Sequence, residues 1–437
     1  MPASPRRDPA LRRTVGSFAP LRGPLLLNRP QDFAAWRARR VAAGLWPYLR
    51  QLHTDVAPRA RAGDPATGTI WEGISFSTQD YLALSREPSV REAVADALAT
   101  YGPHAGSSPV LTGHTPLAAE LAVELAELTG MEHIVLFPTG WAAGYGAITG
   151  LIREHDHVVL DERAHACLNA GAHAATCNVA TAAHLDNASV ARRLAAIRAR
   201  DTDNAVLVVT EGVYSMDSDT PHLSGLQQVC HEYNATLLVD VAHDLGALGP
   251  GGTGQIGAQG LYGEMDLVMG SFSKCFATNG GFIATSSKDV ADYLSIYATS
   301  HFFSSALSPL QAASALQCAR IIRSPEGTRR RMALEKVSER LRSQLSEQGL
   351  NVLGERSAIV PVETNSVAVA RVACRLAEQR GLILAIIEFP AVPLNCARFR
   401  LQVMCDHEMN DLDQAAKTLA ESIEEARHLV KKTGEAR

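Results

Sequence analysis

In GSFSKCFATNGGFIA, residues 270–284, a single lysine, Lys274, stands among serines, glycines and apolar residues. Asp266 is the only charged side chain within eight residues of it on either side. An amine in such surroundings gives up its proton readily and can form a Schiff base with an aldehyde. Other polar residues take comparable positions, each just after an apolar run. Thr139, Gly140 and Trp141 follow HIVLF, and EGVYSMDSD, with Glu211 and Ser215, follows NAVLVVT. Asp240 and His243 close ATLLVD, and Ser271 and Ser273 precede the lysine after DLVMG.

These residue types meet the needs of one aldehyde in particular, pyridoxal 5'-phosphate (PLP). Its ring nitrogen requires a carboxylate, because a protonated ring is the electron sink, and Asp240 offers one. Its phosphate requires N–H donors at a helix start, which Thr139, Gly140 and Trp141 supply. Its ring oxygen requires a donor, and His243 lies three residues beyond Asp240. Taken singly, Asp240 reads as a helix cap and His243 as a packed histidine. The joint spacing, with S-x-S-K about 30 residues further on, is more specific.

The elements that must position these residues are legible from residue 130 onward. HIVLF (133–137), HVVL (157–160), NAVLVVT (204–210), ATLLVD (235–240) and DLVMG (266–270) are short, Val/Ile/Leu-rich runs without alternation. Helical stretches such as WAAGYGAITGLI and NASVARRLAAIRAR separate several of them. Apolar strands alternating with helices predict a mostly parallel sheet covered on both faces. Ligands of such sheets bind beyond the carboxyl ends of the strands, where the polar clusters fall. After residue 310 come a long helical tract, two strand-like pieces (SVAVA and ARFRLQV) and a closing helix, NDLDQAAKTLAESIEEARHLVKK. FAAWRARRVAAGLWPYLRQL, near the start, reads as an amphipathic helix.

Composition sets the outer limits. The chain has 437 residues, a formal charge of -5 and 20% charged residues, without the basic stripe expected of a nucleic-acid surface. Its N-terminus is basic and Pro/Ala-rich, has no signal-peptide pattern and reads as a tail. No apolar run approaches the roughly 18 residues that span a bilayer. Eight cysteines are scattered with no C-x-x-C pair, which predicts reduced thiols in a cytoplasmic protein. His165, Cys167 and Cys177 match no familiar ligand spacing, so no metal is expected.

Ten segments in register resemble the α-oxoamine synthase family of fold-type-I PLP enzymes, over about residues 32–425. They are FSTQDYLALSREPSV, YGPHAGSSPVLTG, FPTGWAAG, ERAHACLNAG, EGVYSMDSD, DVAHDLGALGPGGTG, GSFSKCFATNGGFIA, FFSSALSPLQAA, IVPVETN and VPLNCARFRLQVMCDHEMNDLD. The resemblance implies a large domain with a mostly parallel seven-stranded sheet (69–312), a smaller C-terminal α+β domain (313–437) and an N-terminal tail and helical arm (1–68). It implies that Lys274 is the Schiff-base lysine and later the base. Asp240 would pair with the ring nitrogen, His243 with the ring oxygen, and His165 would stack on the ring. Gly140 and Trp141, with Ser271 and Ser273 beside the lysine, would hold the phosphate. Glu211 and Ser215 would make outlying polar contacts. Ser304 and Ser305 would reach the phosphate of a second subunit, in a homodimer with shared sites. Arg398 and Arg400 alternate on one strand, and the register favours Arg400 for the substrate carboxylate.

The implied reaction is a decarboxylating Claisen condensation of a small amino acid with an acyl thioester, on coenzyme A or a carrier protein, giving an α-amino ketone. GSFSKCFATNGGFIA and IEFPAVP stand nearest the serine palmitoyltransferase branch. Alternatives are an aminotransferase or aldolase of the same fold, or a non-catalytic partner subunit, which would lack the lysine. The sequence departs from the family pattern at Pro109, Ala118, Ala122 and Asn395, where Arg, His, Glu and Gly are usual. Trp46 stands in place of an early arginine.

Overall fold

The apolar runs are the strands of one sheet in the computed structural model, which describes residues 9–11 and 13–432. In chain order they are β1 (His133–Phe137), β2 (His157–Asp161), β3 (Val179–Ala182), β4 (Val206–Glu211), β5 (Thr236–Asp240), β6 (Leu267–Ser271) and β7 (Gly281–Thr285). The seven lie in the order β1-β7-β6-β5-β4-β2-β3. β2 through β6 pair in parallel. β7 alone runs against both of its neighbours, β1 and β6. Every residue of β4, β6 and β7 is buried, which explains the absence of polar alternation in their sequences. β3 and β7 did not stand out from sequence. VATA has no bulky aliphatic run, and GFIAT directly follows the glycines of the lysine motif.

This sheet belongs to a compact unit of residues 79–215 and 219–333. Helices Gly140–Leu151, Ala166–Ala175, Asn187–Arg198 and Leu223–Glu232 connect its strands. Most begin on a side chain that takes a first-turn N–H. Thr139 accepts from Ala142, His165 from Cys167 and Asp186 from Ser189. The core on one side of the sheet joins Phe137, Ala143, Leu168, Leu238, Met269 and Ile283.

The second unit holds the described residues up to 78, residues 216–218, and those from 334 onward. The N-terminal arm and the C-terminal segment thus fall in one unit. Its strands form a four-stranded sheet (51–52, 59–64, 69–75 and 382–383) and a three-stranded one (359–363, 398–402 and 386–387). The N-terminal helix is shorter than its sequence pattern. It covers Gln31–Ala42 and stops before Gly44, which has φ +64°, so LWPYLRQL lies outside it.

One predicted strand is corrected. SVAVA opens the helix Val367–Gln379, with Ser366 capping the N–H of Val369. Its Val/Ala alternation mimics a strand, but the helix is buried nearly throughout its first three turns and packs on Met409–Lys432. Burial on most faces erases helical periodicity from the sequence. The neighbouring strand is Ile359–Glu363, disguised by Pro361.

Gly270 shows how tightly the large sheet is packed. A Cβ there would lie 2.2 Å from the ring of Phe282, its cross-strand partner. Gly270→Ala should therefore destabilise the protein by about 1–3 kcal/mol through overpacking. Denaturant unfolding would read this as a lowered midpoint with unchanged slope.

Candidate active site

The carboxyl ends of β4, β5 and β6 carry Glu211, Asp240 and Ser271 as their last residues. β7 runs the other way, so its first residue, Gly281, arrives at the same edge. There a cavity of about 340 Å³ is lined by Lys274, Asp240, His165, His243, Glu211 and the start of the helix Gly140–Leu151. Thr139, Gly140, Trp141, Ser271 and Ser273 also line it.

Close backbone approach makes this edge possible. A Cβ on Gly140 would lie 2.4 Å from Ser271 Oγ, and one on Gly281 would lie 2.7 Å from Gly140 Cα. Only glycine lets the helix start sit against the serine-bearing strand. Thr139 caps the helix through its side chain. The first-turn N–H groups have no carbonyl of their own helix to bond. Ser271 and Ser273 share a hydroxyl–hydroxyl hydrogen bond of 2.9 Å beside this helix start. N–H groups, hydroxyls and a helix dipole so placed form an anion cradle.

Across the cavity lie two buried carboxylates in register on adjacent strands, Glu211 and Asp240. Burial raises the pKa of Glu211 well above the carboxylate range, and the charge of Asp240 raises it further. Burial raises Asp240 as well, while His165 and Lys274 act in the opposite direction. Glu211 is thus the protonated member and Asp240 the one drawn toward ionisation. A buried carboxylate in this setting calls for a cation.

The histidines are held by identifiable partners. His165 caps its own helix: Nδ1 accepts the N–H of Cys167 at 3.3 Å, and the Cys167 thiol lies 3.0 Å from the same nitrogen. With Nδ1 the acceptor, the proton of a neutral ring resides on Nε2. His243 Nδ1 lies 2.9 Å from the hydroxyl of the fully buried Tyr81. Sequence reasoning did not single out Tyr81, although it stands in STQDYLALS. Gln79 and Asn279 also line the cavity without having been singled out, as does Cys167, which the sequence raised only as a discarded metal ligand. Each sits beside or inside a quoted motif, and only the folded chain distinguishes it from its neighbours.

Not every expected residue lines this cavity. Ser215 is buried away from its walls, and Ser304 and Ser305 lie on a separate loop, half-buried and exposed. Arg398 and Arg400 belong to the second unit. Arg398 is buried there, paired with Asp217 and bonded to the Met216 carbonyl at 3.1 Å. Arg400, half-buried, has Nη1 3.9 Å from Met216 Sδ.

The chain as a whole resembles known enzymes. A family model for class I and II aminotransferases matches residues 72–419. The chain is 32% identical to a serine palmitoyltransferase of Sphingobacterium spiritivorum, over 81% of this chain and 87% of that protein. It is 35% identical to an 8-amino-7-oxononanoate synthase of Halorhodospira halophila, over 89% and 94%. The solved serine palmitoyltransferase of S. paucimobilis superposes with a TM-score of 0.86 at 25% identity, covering 93% of this chain and 100% of the other. The fold is that of the fold-type-I transferases. The chain belongs to the class I and II aminotransferase family and, within it, to the α-oxoamine synthases.

Behind the cavity, His184 braces the segment that follows β4. Its Nδ1 lies 2.8 Å from Asp161 at the end of β2, and its Nε2 lies 3.0 Å from Asp219. The ring stands edge-on to Tyr214 at 4.5 Å. Burial lowers its pKa, but the two carboxylates outweigh this and carry it up to about 9. The folded pKa exceeds the unfolded value of about 6.5. This brace therefore stabilises fully below about pH 6.5 and is lost as pH rises through about 9. The melting temperature should fall across that interval, and His184→Gln should flatten the fall. An identical slope in the variant would rule out the brace.

Proposed function

We propose that this protein is a PLP-dependent acyltransferase that joins a small amino acid to the acyl group of a thioester. Carbon dioxide and the thiol are released, and an α-amino ketone is formed. The carrying observation is the single cavity in which Lys274, Asp240, His165 and His243 meet a helix start flanked by serines. Its volume of about 340 Å³, its anion cradle and its cation-seeking carboxylate fit the cofactor's phosphate and ring at opposite ends. Serine palmitoyltransferase structures of the same fold are described with PLP, and the relatives named above support the same reaction class.

When bound, PLP supplies an electron sink for the negative charge that develops on the amino acid's α-carbon. The chain's own residues do the rest. Asp240 holds the ring nitrogen in its protonated form. His243, oriented by Tyr81, donates to the ring oxygen, and the N–H groups of Gly140 and Trp141 with Ser271 and Ser273 hold the phosphate. His165 would lie against the ring of the bound cofactor with its Nε2 proton available. Lys274 would hold the cofactor through Nζ and, once the substrate's amine has displaced it, the freed amine would take the proton from the α-carbon and return it after carbon dioxide has left. Between those transfers the α-carbon forms its bond to the acyl carbon, and the thiol departs. Glu211, uncharged, keeps a second negative charge away from the lysine.

The family register favours Arg400 for the amino-acid carboxylate, and Arg398 is paired with Asp217. In a homodimer Ser304 and Ser305 serve the phosphate of a second copy. No helix among the described residues is long and apolar enough to cross a membrane, and the reduced thiols favour the cytoplasm as its place of work.

Three outcomes test this reading. The wild type should gain visible absorbance on adding PLP, and Lys274→Ala should not gain the same band. The variant should also lose on the order of 10²–10⁴ in rate, the usual worth of a positioned base. Thiol and carbon dioxide should appear in equal amounts only when amino acid and acyl thioester are both present. Turnover of the amino acid without thioester would favour an aminotransferase or aldolase and overturn the condensation.

A further inference from the structure

A second cavity, of about 200 Å³, lies beside the edge strand β1 in the same unit. Its walls include Ala118, Ala122, Val110, Ile134 and Leu307. Ala118 and Ala122 lie one turn apart on the helix Pro116–Thr129, so two short side chains together leave the space. Pro109 lines it too, which places three of the sequence's departures from the family pattern on one cavity.

This cavity adjoins the catalytic one through a thin wall. Gly280 lines the catalytic cavity and Leu307 lines the second. A Cβ built on Gly280 would lie 2.8 Å from Leu307 Cδ1, so the leucine rests directly on the glycine. The loop carrying Leu307 is tied down on its other side: Ala306 N–H donates to the Ser107 carbonyl at 3.0 Å, and Ser108 Oγ donates to the Phe302 carbonyl at 2.7 Å. Leu307 and the buried ring of Phe272, 2.5 Å from the same built Cβ, pack side by side on Gly280 between the two spaces.

The lining chemistry selects the occupant. No Lys, Arg, Asp or Glu is among the lining residues. His301, the buried histidine of the wall, has Nδ1 2.9 Å from the Ser295 carbonyl and packs edge-on against Phe137 at 5.4 Å. Burial lowers its pKa, which leaves it uncharged at neutral pH. The other, His114, is exposed. Without a permanent charge and with most of its walls aliphatic, the chamber suits hydrocarbon better than a carboxylate or phosphate. Its volume exceeds the ~150 Å³ of a dry cavity that takes benzene.

We propose that this chamber receives the far end of an apolar, methyl-terminated acyl chain whose carbonyl sits at Lys274, with Leu307 moving aside to admit it. The proposal rests on the acyltransferase reading above and narrows its donor to an uncharged aliphatic thioester. Each methylene seated there should raise affinity about fourfold.

The test is a series of straight-chain acyl thioesters of increasing length, with a carboxyl-terminated donor for comparison, on wild type, Ala122→Leu and Leu307→Ala, each loaded with PLP. Ala122→Leu should lower kcat/KM for the longest accepted donors by about tenfold or more relative to short ones. Its visible spectrum and its spectral response to amino acid should stay as in the wild type. Leu307→Ala, which opens the wall, should shift the preference toward longer or bulkier chains. A fluorescent fatty acid should bind the PLP-free wild type and be weakened by Ala122→Leu, a readout independent of turnover. Unchanged chain-length profiles in both variants with intact spectra, or equal use of the carboxyl-terminated donor, would overturn the chamber and leave the acyltransferase reading standing. A wild type that consumes no thioester of any length would overturn that reading itself.

Discussion

Burial of charge at the carboxyl edge of the sheet is the constraint on which this protein depends. Glu211 and Asp240 end neighbouring strands in register, and both are buried. Two ionised carboxylates so placed repel each other, so one stays protonated and the other looks for a cation. Lys274 and His165 are the cationic or ionisable groups that act on Asp240. A cofactor ring bearing a positive nitrogen would complete the same balance. The buried carboxylate is therefore expensive for the bare fold and useful to the loaded one.

The residues that terminate secondary structure at this edge are also the ones available for chemistry. Thr139 caps a helix and stands beside the phosphate cradle. His165 caps the next helix, and the cap assigns its ring proton to Nε2. A capping interaction thus does more than stabilise a helix end: it orients the imidazole. Gly140 and Gly281 complete the arrangement by letting two backbones meet where a methyl group would not fit. Tyr81 does for His243 what the cap does for His165, from a distant part of the chain.

The two cavities divide the chemistry by polarity. The one at the strand ends gathers the carboxylates and the lysine, and the one beside β1 is walled mostly by aliphatic side chains, with His114, His301 and Ser295 among them. Leu307 and Phe272 pack on Gly280 between them, and under the acyl-chain proposal this keeps reactive carbon and hydrocarbon tail in different environments. Polar and apolar parts of one substrate can then be recognised independently, since a charged head and a greasy chain demand opposite surroundings.

Much of this was written in local residue patterns. The uncharged runs of β1, β2, β4, β5 and β6, and the polar residues at their ends, followed from strands buried on both faces. Lys274, Asp240 and His243 could be picked out because a desolvated amine, a strand-terminal carboxylate and a nearby donor are rare together. Locally ambiguous segments were harder: Val367–Gln379 mimics a strand because it is buried nearly all round, and Pro361 disguises one. Sequence by itself determined the fold class and the family, since these rest on residue types at short spacings. Only the tertiary structure decided that Tyr81 stands behind His243, that Arg398 is engaged by Asp217, and that Ala118, Ala122 and Leu307 enclose one space. Those facts join residues far apart in the chain, and packing alone brings them within contact.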